Sequence, residues 1–173
     1  MEINVEQGKL AKALGVVSRV AAGSRTTLPI LNNVLIKALD GKVKLVTTNL
    51  DMAIVSYLGV ANSKDGEITV PARLLADFVS NLPKGEIKLT ASDSKLTVAS
   101  GKYKSSFNGA PAEDFPELPD INDAEAVIYR MSIEAFKTGI NEVKIACSSD
   151  TTRPSLTGVY FNTFEGSLYI AAT

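Results

Sequence analysis

Two short patterns in this chain could support serine acyl-transfer chemistry. Ser92 to Lys95 has the S-x-x-K form, and Lys137-Thr138-Gly139 the K-T-G form, of the serine enzymes that open β-lactam rings. That chemistry needs the serine at a helix start and the K-T-G on a strand. Here the first pattern falls in a predicted turn and the second inside a predicted helix, and no S-D-N accompanies them. The chain of 173 residues contains no histidine, which removes Ser-His-Asp and Cys-His pairs and the usual zinc ligand sets. Cys147 is the single cysteine; it reads as a small packing residue near a helix end, and it has no internal disulfide partner, which points to a reducing compartment. No glycine-rich phosphate loop is present. In the run TTNLDM, Asp51 is the only carboxylate, so no metal cluster is suggested there. Carboxylate or lysine acid–base chemistry stays open, but the expectation is a non-catalytic protein with no catalytic residue, metal or cofactor.

Cations on helices are the better clue. Lys9, Lys12 and Arg19 lie at i, i+3 and i+10, away from the apolar stripe of their predicted helix, and residues 7 to 22 hold no acidic residue. Arg25 follows in a small-residue loop, AAGSRTT. On a later helix Lys137 and Lys144 lie at i and i+7, diluted by Glu134 and Glu142. One such helix alone reads as a solvated face. Repetition in a protein of net charge −1 suits a surface that faces phosphate without gripping it.

The elements that must position these side chains follow from periodicity. MEINVEQ alternates as a short strand. Leu10, Leu14, Val17 and Ala21 then fall at i, i+4, i+7 and i+11, a helical stripe that Gly23 would end. Asn33–Ala38, Lys42–Thr48 and Met52–Val60 read as strands, with a hairpin signal at Asp40-Gly41 and another Asp-Gly pair before EITV. After Pro71, ARLLADFVSNL has helical spacing with Leu74, Leu75, Phe78, Val79 and Leu82 on its apolar face, and Pro83 stops it. EIKLTA, KLTVAS and KYKSSF close the series as strands. The order is strand, helix, three strands, given twice: an α+β class with helices on antiparallel sheets.

Residues 111 to 125 carry three prolines and six acidic residues and read as an extended linker. Beyond it the chain begins again. Val127–Met131 reads as a strand and Ile133–Ala146 as a helix with Phe136, Ile140 and Val143 on one face, an echo of Leu10, Leu14 and Val17 at an offset of 126. TTLPILNNVLI (26–36) returns as TTRPSLTGVYF (151–161), and Gly166, Leu168 and Ile170 fall on Gly41, Val43 and Leu45. The unit is therefore about 125 residues, present once in full with the opening 47 residues of a second copy. The expectation is a fragment, or a chain whose second copy relies on a partner for cover.

Apolar residues make up 45% and charged residues 21%, ordinary for a soluble protein. The start has neither a basic region nor an apolar run, and no stretch approaches a bilayer span, so a cytoplasmic protein without a membrane contact is expected.

SRTTLPILNNVLI, TTNLDM, VPARLLADFV and NGAPAEDFPELP, in this order along the whole chain, resemble the bacterial DNA polymerase III beta subunit family, the sliding clamps. The resemblance implies three similar domains per chain, two chains closing head-to-tail into a homodimer ring around duplex DNA, and helices lining the hole with sheets at the rim. It implies a first clamp domain at 1–122, a linker end and incomplete second domain at 123–173, and an absent third domain. The function it implies is tethering the replicative polymerase as a processivity factor, without sequence readout or chemistry. Arg25 matches a DNA-contacting arginine of the family, and Lys9, Lys12, Arg19 and Arg73 join it from helix position. Asp150 departs from the family pattern, standing where a polar DNA contact is expected. Arg153, Leu156 and Thr173 match the start of a pocket that takes a short peptide motif from the polymerase alpha subunit and the clamp loader. Phe78, Leu82 and Phe107, with Lys102 and Lys104, match the subunit interface; Phe78 and Leu82 equally fit a core-facing stripe. A stand-alone α+β module that binds only peptides or a partner chain is the alternative expectation.

Overall fold

The computed structural model describes residues 1–21, 28–60, 62–118 and 129–173. The chain divides into two compact units, Met1–Pro119 and Asp120–Thr173.

In the first unit β1 (Glu2–Glu6) runs straight into helix α1 (Gln7–Ala21). A 3₁₀ turn (Pro29–Asn32) leads to β2 (Asn33–Leu39), β3 (Lys42–Thr48) and β4 (Ala53–Gly59). β5 (Asn62–Lys64), a short strand the sequence reading lacks, precedes β6 (Gly66–Pro71), helix α2 (Ala72–Ser80) and β7 (Glu86–Ser92), β8 (Lys95–Ser100) and β9 (Tyr103–Asn108). The fold is α+β with antiparallel sheets throughout.

The sheets exchange strands. One has the order β4-β3-β2-β6 and the other β5-β1-β7-β8-β9. Each half thus lends its opening strand to the other half's three strands. Local periodicity sets which residues face inward but not which strand is the neighbour, so this exchange was not readable from the chain. Inward residues of both sheets join the stripes of both helices in one core: Ile3, Leu10, Leu14, Val17, Ile36, Leu45, Leu75, Ile87, Leu89 and Leu96 are all fully buried. Among the described residues, every buried side-chain nitrogen or oxygen has a partner.

Several expectations are corrected. Leu74 is 61% exposed, because the turn from Leu75 to Val79 already fills the space over the sheet. Residues 111–118 are not an extended linker. Thr69 and Ala110 exchange backbone hydrogen bonds of 3.1 and 3.0 Å, a 3₁₀ turn follows at Ala112–Asp114, and Phe115 is buried. A Cβ at Gly109 would collide with the Thr69 carbonyl, so the approach to β6 requires glycine there. The rest of the expected linker, and Gly23 as a helix end, lie outside the described residues.

The second unit contains helix α3 (Ile133–Val143), a 3₁₀ turn at Lys144–Ala146, another at Pro154–Leu156, and the hairpin β10 (Tyr160–Phe164) and β11 (Ser167–Ala171). Tyr129 to Met131 belong to no strand, contrary to expectation; the Tyr129 hydroxyl instead bonds Thr163 Oγ1 at 2.6 Å. Ser132 caps α3, its Oγ accepting from Ala135 N at 3.1 Å. An open groove of about 670 Å³ runs between α3 and the hairpin, lined by Met131, Phe136, Val143, Leu168 and Ile170 among others. No helix among the described residues is long and apolar enough to cross a membrane.

Candidate nucleic-acid interface

α1 buries Leu10, Ala13, Leu14, Val17, Val20 and Ala21 and turns the opposite arc outward. That arc holds Lys9, Lys12, Val16 and Arg19, all exposed. Its position is fixed at both ends. Gln7 donates from its backbone to Gly85 O at 2.8 Å and from Nε2 to Val79 O at 2.9 Å, the latter bond buried. Thr47 Oγ1 donates to Val17 O at 2.6 Å. These bonds tie the start of α1 to the end of α2 and its last turns to β3, so the cations sit on a rigid support.

The charge on this arc is barely compensated. Lys9 pairs with Glu6 at 3.4 Å, an exposed pair that water screens. Among the described residues Lys12 and Arg19 have no ion-pair partner, and α1 itself contains no acid. Arg73 is exposed in the first turn of α2, one turn before the exposed Asp77. Neither helix has an acidic residue in its first turn, where the helix dipole favours one. The arrangement adds positive potential to the outer arc of α1 and offers point charges suited to phosphate oxygens, with nothing shaped to read a base. Arg25, the strongest of the expected DNA contacts, lies outside the described residues.

The other expected site residues fall in two places. Phe78 on α2 and Phe107 on β9 are in direct edge-to-face contact, ring centroids 5.6 Å apart at 66°. Leu82 is only 7% exposed and belongs to the core. Lys102 lies over the Tyr103 ring, 5.6 Å from its centroid, in the β8–β9 turn, and Lys104 is exposed on β9. β9 ends its sheet, so these residues cluster at a sheet edge.

In the second unit Arg153 is exposed at the head of the 3₁₀ turn that holds the half-buried Leu156. Leu156 O accepts from Ser148 N at 2.9 Å, and Cys147 Sγ donates to Gly158 O at 3.6 Å. Thr173 is exposed two residues past the Tyr160–Ala171 pair. Asp150 Oδ1 accepts from Thr152 N at 2.9 Å, and bonds from the Thr152 backbone and side chain hold its carboxyl below the usual range.

The serine and K-T-G patterns come to nothing chemically. Ser92 and Lys95 face each other across the β7–β8 turn, and Lys137 to Gly139 lie inside α3. Among the described residues no group of three His, Cys, Asp or Glu side chains could hold a metal ion.

Residues 1–119 match the family described as the DNA polymerase III beta subunit, N-terminal domain. The beta sliding clamp of Synechocystis sp. is 35% identical over the whole chain, which covers 46% of that relative's length. That of Escherichia coli is 33% identical, with 47% of its length covered. The crystal structure of the DNA polymerase III subunit beta from Pseudomonas aeruginosa superposes on the whole chain with a TM-score of 0.90 at 28% identity, over 47% of that chain. The sequence thus spans about half the length of the relatives it matches.

Proposed function

The chain belongs to the DNA polymerase III beta subunit family, and on that premise we propose that it serves a sliding clamp that encircles duplex DNA and tethers the replicative polymerase. In this reading 1–122 is the first clamp domain and 123–173 holds the linker end and the opening of the second. Two chains of the relatives' length close head-to-tail, using the Phe78–Phe107 edge with Lys102 and Lys104. Leu82 supports that edge from within the core. Arg153, Leu156 and Thr173 begin a pocket for a short peptide motif of the polymerase alpha subunit and the clamp loader. The protein does no chemistry and needs no cofactor.

The observation that carries the reading is the outer arc of α1. It presents Lys9, Lys12 and Arg19 without an acid in the helix, in a chain whose net charge is −1. A ring that slides needs attraction without fixed contacts. Long, hydrated cations on a rigid helix supply this, since each phosphate they approach is replaced by an equivalent one after a small step. Arg25 and Arg73 extend the same attraction in this account.

The decisive experiment uses a protein of the relatives' full length that contains this chain. Retention on circular duplex should far outlast retention on linear duplex with free ends, and equal release rates from both would refute topological binding. The 173-residue chain alone should bind duplex weakly, and more weakly as salt rises.

A further inference from the structure

The outward faces of the two sheets in the first unit are unlike. On β1-β7-β8-β9 a row of Glu2, Thr90, Thr97 and Ser106 crosses the strands, with Glu2 held between Lys64 and Lys88. That is a solvated face. On β4-β3-β2 the corresponding row is Leu35, Val46 and Val55, followed by Lys37, Lys44 and Tyr57, and then by Leu39 opposite Lys42. Apolar residues in register on an outward antiparallel face call for a cover.

Half of that cover is the chain's own. Phe115, Pro116 and Leu118 line a groove with Leu35 and Val46, and Glu117 shares its rim with Lys37 and Lys44. The segment is PAEDFPEL, three acids around an aromatic and a leucine. The other half is an open groove of about 370 Å³ lined by Lys37, Leu39, Asp40, Lys42, Lys44 and Tyr57. In it Tyr57 is 67% and Leu39 51% exposed. Lys37 and Lys44 stand directly opposite each other, a like-charge pairing that weakens a sheet. Lys37 reaches Glu67 at 3.0 Å, whereas among the described residues Lys42 and Lys44 have no ion-pair partner.

We propose that this second groove docks a partner protein through a short acidic segment bearing an aromatic or aliphatic side chain. The covered half supplies the pattern, because the same face already takes a segment of that chemistry in cis. Carboxylates of the partner relieve the Lys37–Lys44 opposition and neutralise Lys42, and its apolar side chain packs on Tyr57 and Leu39. A nucleic-acid strand fits less well: its continuous backbone charge meets Asp40 in the groove, and it leaves Leu39 unmatched. The groove lies on the opposite face of the sheet from α1, so the proposal is independent of DNA binding.

The test is fluorescence anisotropy of a labelled peptide, Glu-Asp-Phe-Glu-Glu-Leu, titrated into the intact chain at low salt. Saturable binding is expected, weakened about tenfold by Lys42→Glu with Lys44→Glu, a change worth about 1.4 kcal/mol. Tyr57→Ser should weaken it severalfold, and Lys12→Glu on α1 should leave it unchanged. Circular dichroism checks each variant; if the double lysine variant does not fold, Tyr57→Ser at its exposed site decides. Four outcomes overturn the proposal. They are no saturable binding, equal binding of a peptide with serine for both apolar residues, and tighter binding of a single-stranded oligonucleotide of equal charge at the same residues. The fourth is self-association of the chain that the same substitutions abolish, which would make a second copy the occupant.

Discussion

The hairpin β2–β3 and the hairpin β10–β11 are built alike and buried differently. Both turn on a two-residue loop with positive φ at each position, 50° and 73° at Asp40-Gly41 and 49° and 75° at Glu165-Gly166. That is the type I′ geometry whose twist suits a hairpin. Both follow a 3₁₀ turn that opens on proline, and both accompany a helix with the same stripe. Yet Val34, Ile36, Val43 and Leu45 are at most 1% exposed, whereas Phe161 is 44% exposed and Phe136 on α3 is 42%. Phe136 and Phe161 stack on each other, centroids 6.4 Å apart, rather than beneath further elements. Local sequence thus makes the motif. Burial in the first unit comes from β6, α2 and the sheet they bring.

The comparison breaks most visibly in the core. Leu14→Ala should cost about 2–5 kcal/mol, read by urea denaturation, because it empties a fully buried site. Its counterpart Ile140→Ala, half-exposed on α3, should cost under about 1 kcal/mol. Equal costs would mean that the second unit is packed as tightly as the first.

Next is the charge on the two helices. Reversing Lys12 and Arg19 together should lower duplex affinity at least tenfold and flatten the salt dependence by about one unit of slope per cation. Lys137→Glu on α3, where Glu134 and Glu142 already offset the lysines, should change affinity less than about twofold. Titrations at several salt concentrations would reveal either failure.

A smaller and equal effect is expected at the turns. Gly41→Ala and Gly166→Ala each force a Cβ into the left-handed region at a cost of about 1 kcal/mol, since the strain is local and neither site has a neighbour within 4 Å. Hydrogen exchange of the flanking strands reads both; a difference between them would show that burial reaches the turn after all.

The smallest effect distinguishes two carboxylates. Lys88 and Lys64 hold Glu2 below its ordinary value, Lys88 by the stronger hydrogen bond, whereas Thr152 does so for Asp150. Both folded values are depressed, so each contribution is present above the unfolded value and is lost as pH falls through the folded one. Glu2→Gln should therefore remove part of the acid-side loss of stability, and added salt should mimic it by screening the lysines. Salt should spare the Asp150 contribution, which rests on short bonds within its own turn. Acid titrations at two ionic strengths compare them.

Much of this was legible in the chain. Leu10, Leu14 and Val17 announce α1, Asp40-Gly41 announces its hairpin, and the 125-residue echo announces the second. What stayed hidden depends on distant partners. The exchange of β1 and β6 leaves the period unchanged. Leu74 fits the apolar stripe of α2 but points past it. Acids and prolines at 111–118 disguise the anchoring role of Phe115. For the candidate interface, the spacing of Lys9, Lys12 and Arg19 on one arc was readable. Their support by Gln7 and Thr47, which bond residues 72 and 30 positions away, was not.

The exchanged strands also set a timetable for synthesis. Within the first unit β1 is made before the other strands, yet its main partner, β7, begins at Glu86, and β2 lacks its second neighbour until β6 is complete at Pro71. Neither sheet can close on the residues of its own half. The sheet of β2, β3, β4 and β6 can therefore close once Pro71 is made and cover α1 from β3 and β4, whereas the inward face of β1 waits for β7, so the two sheets close one after the other.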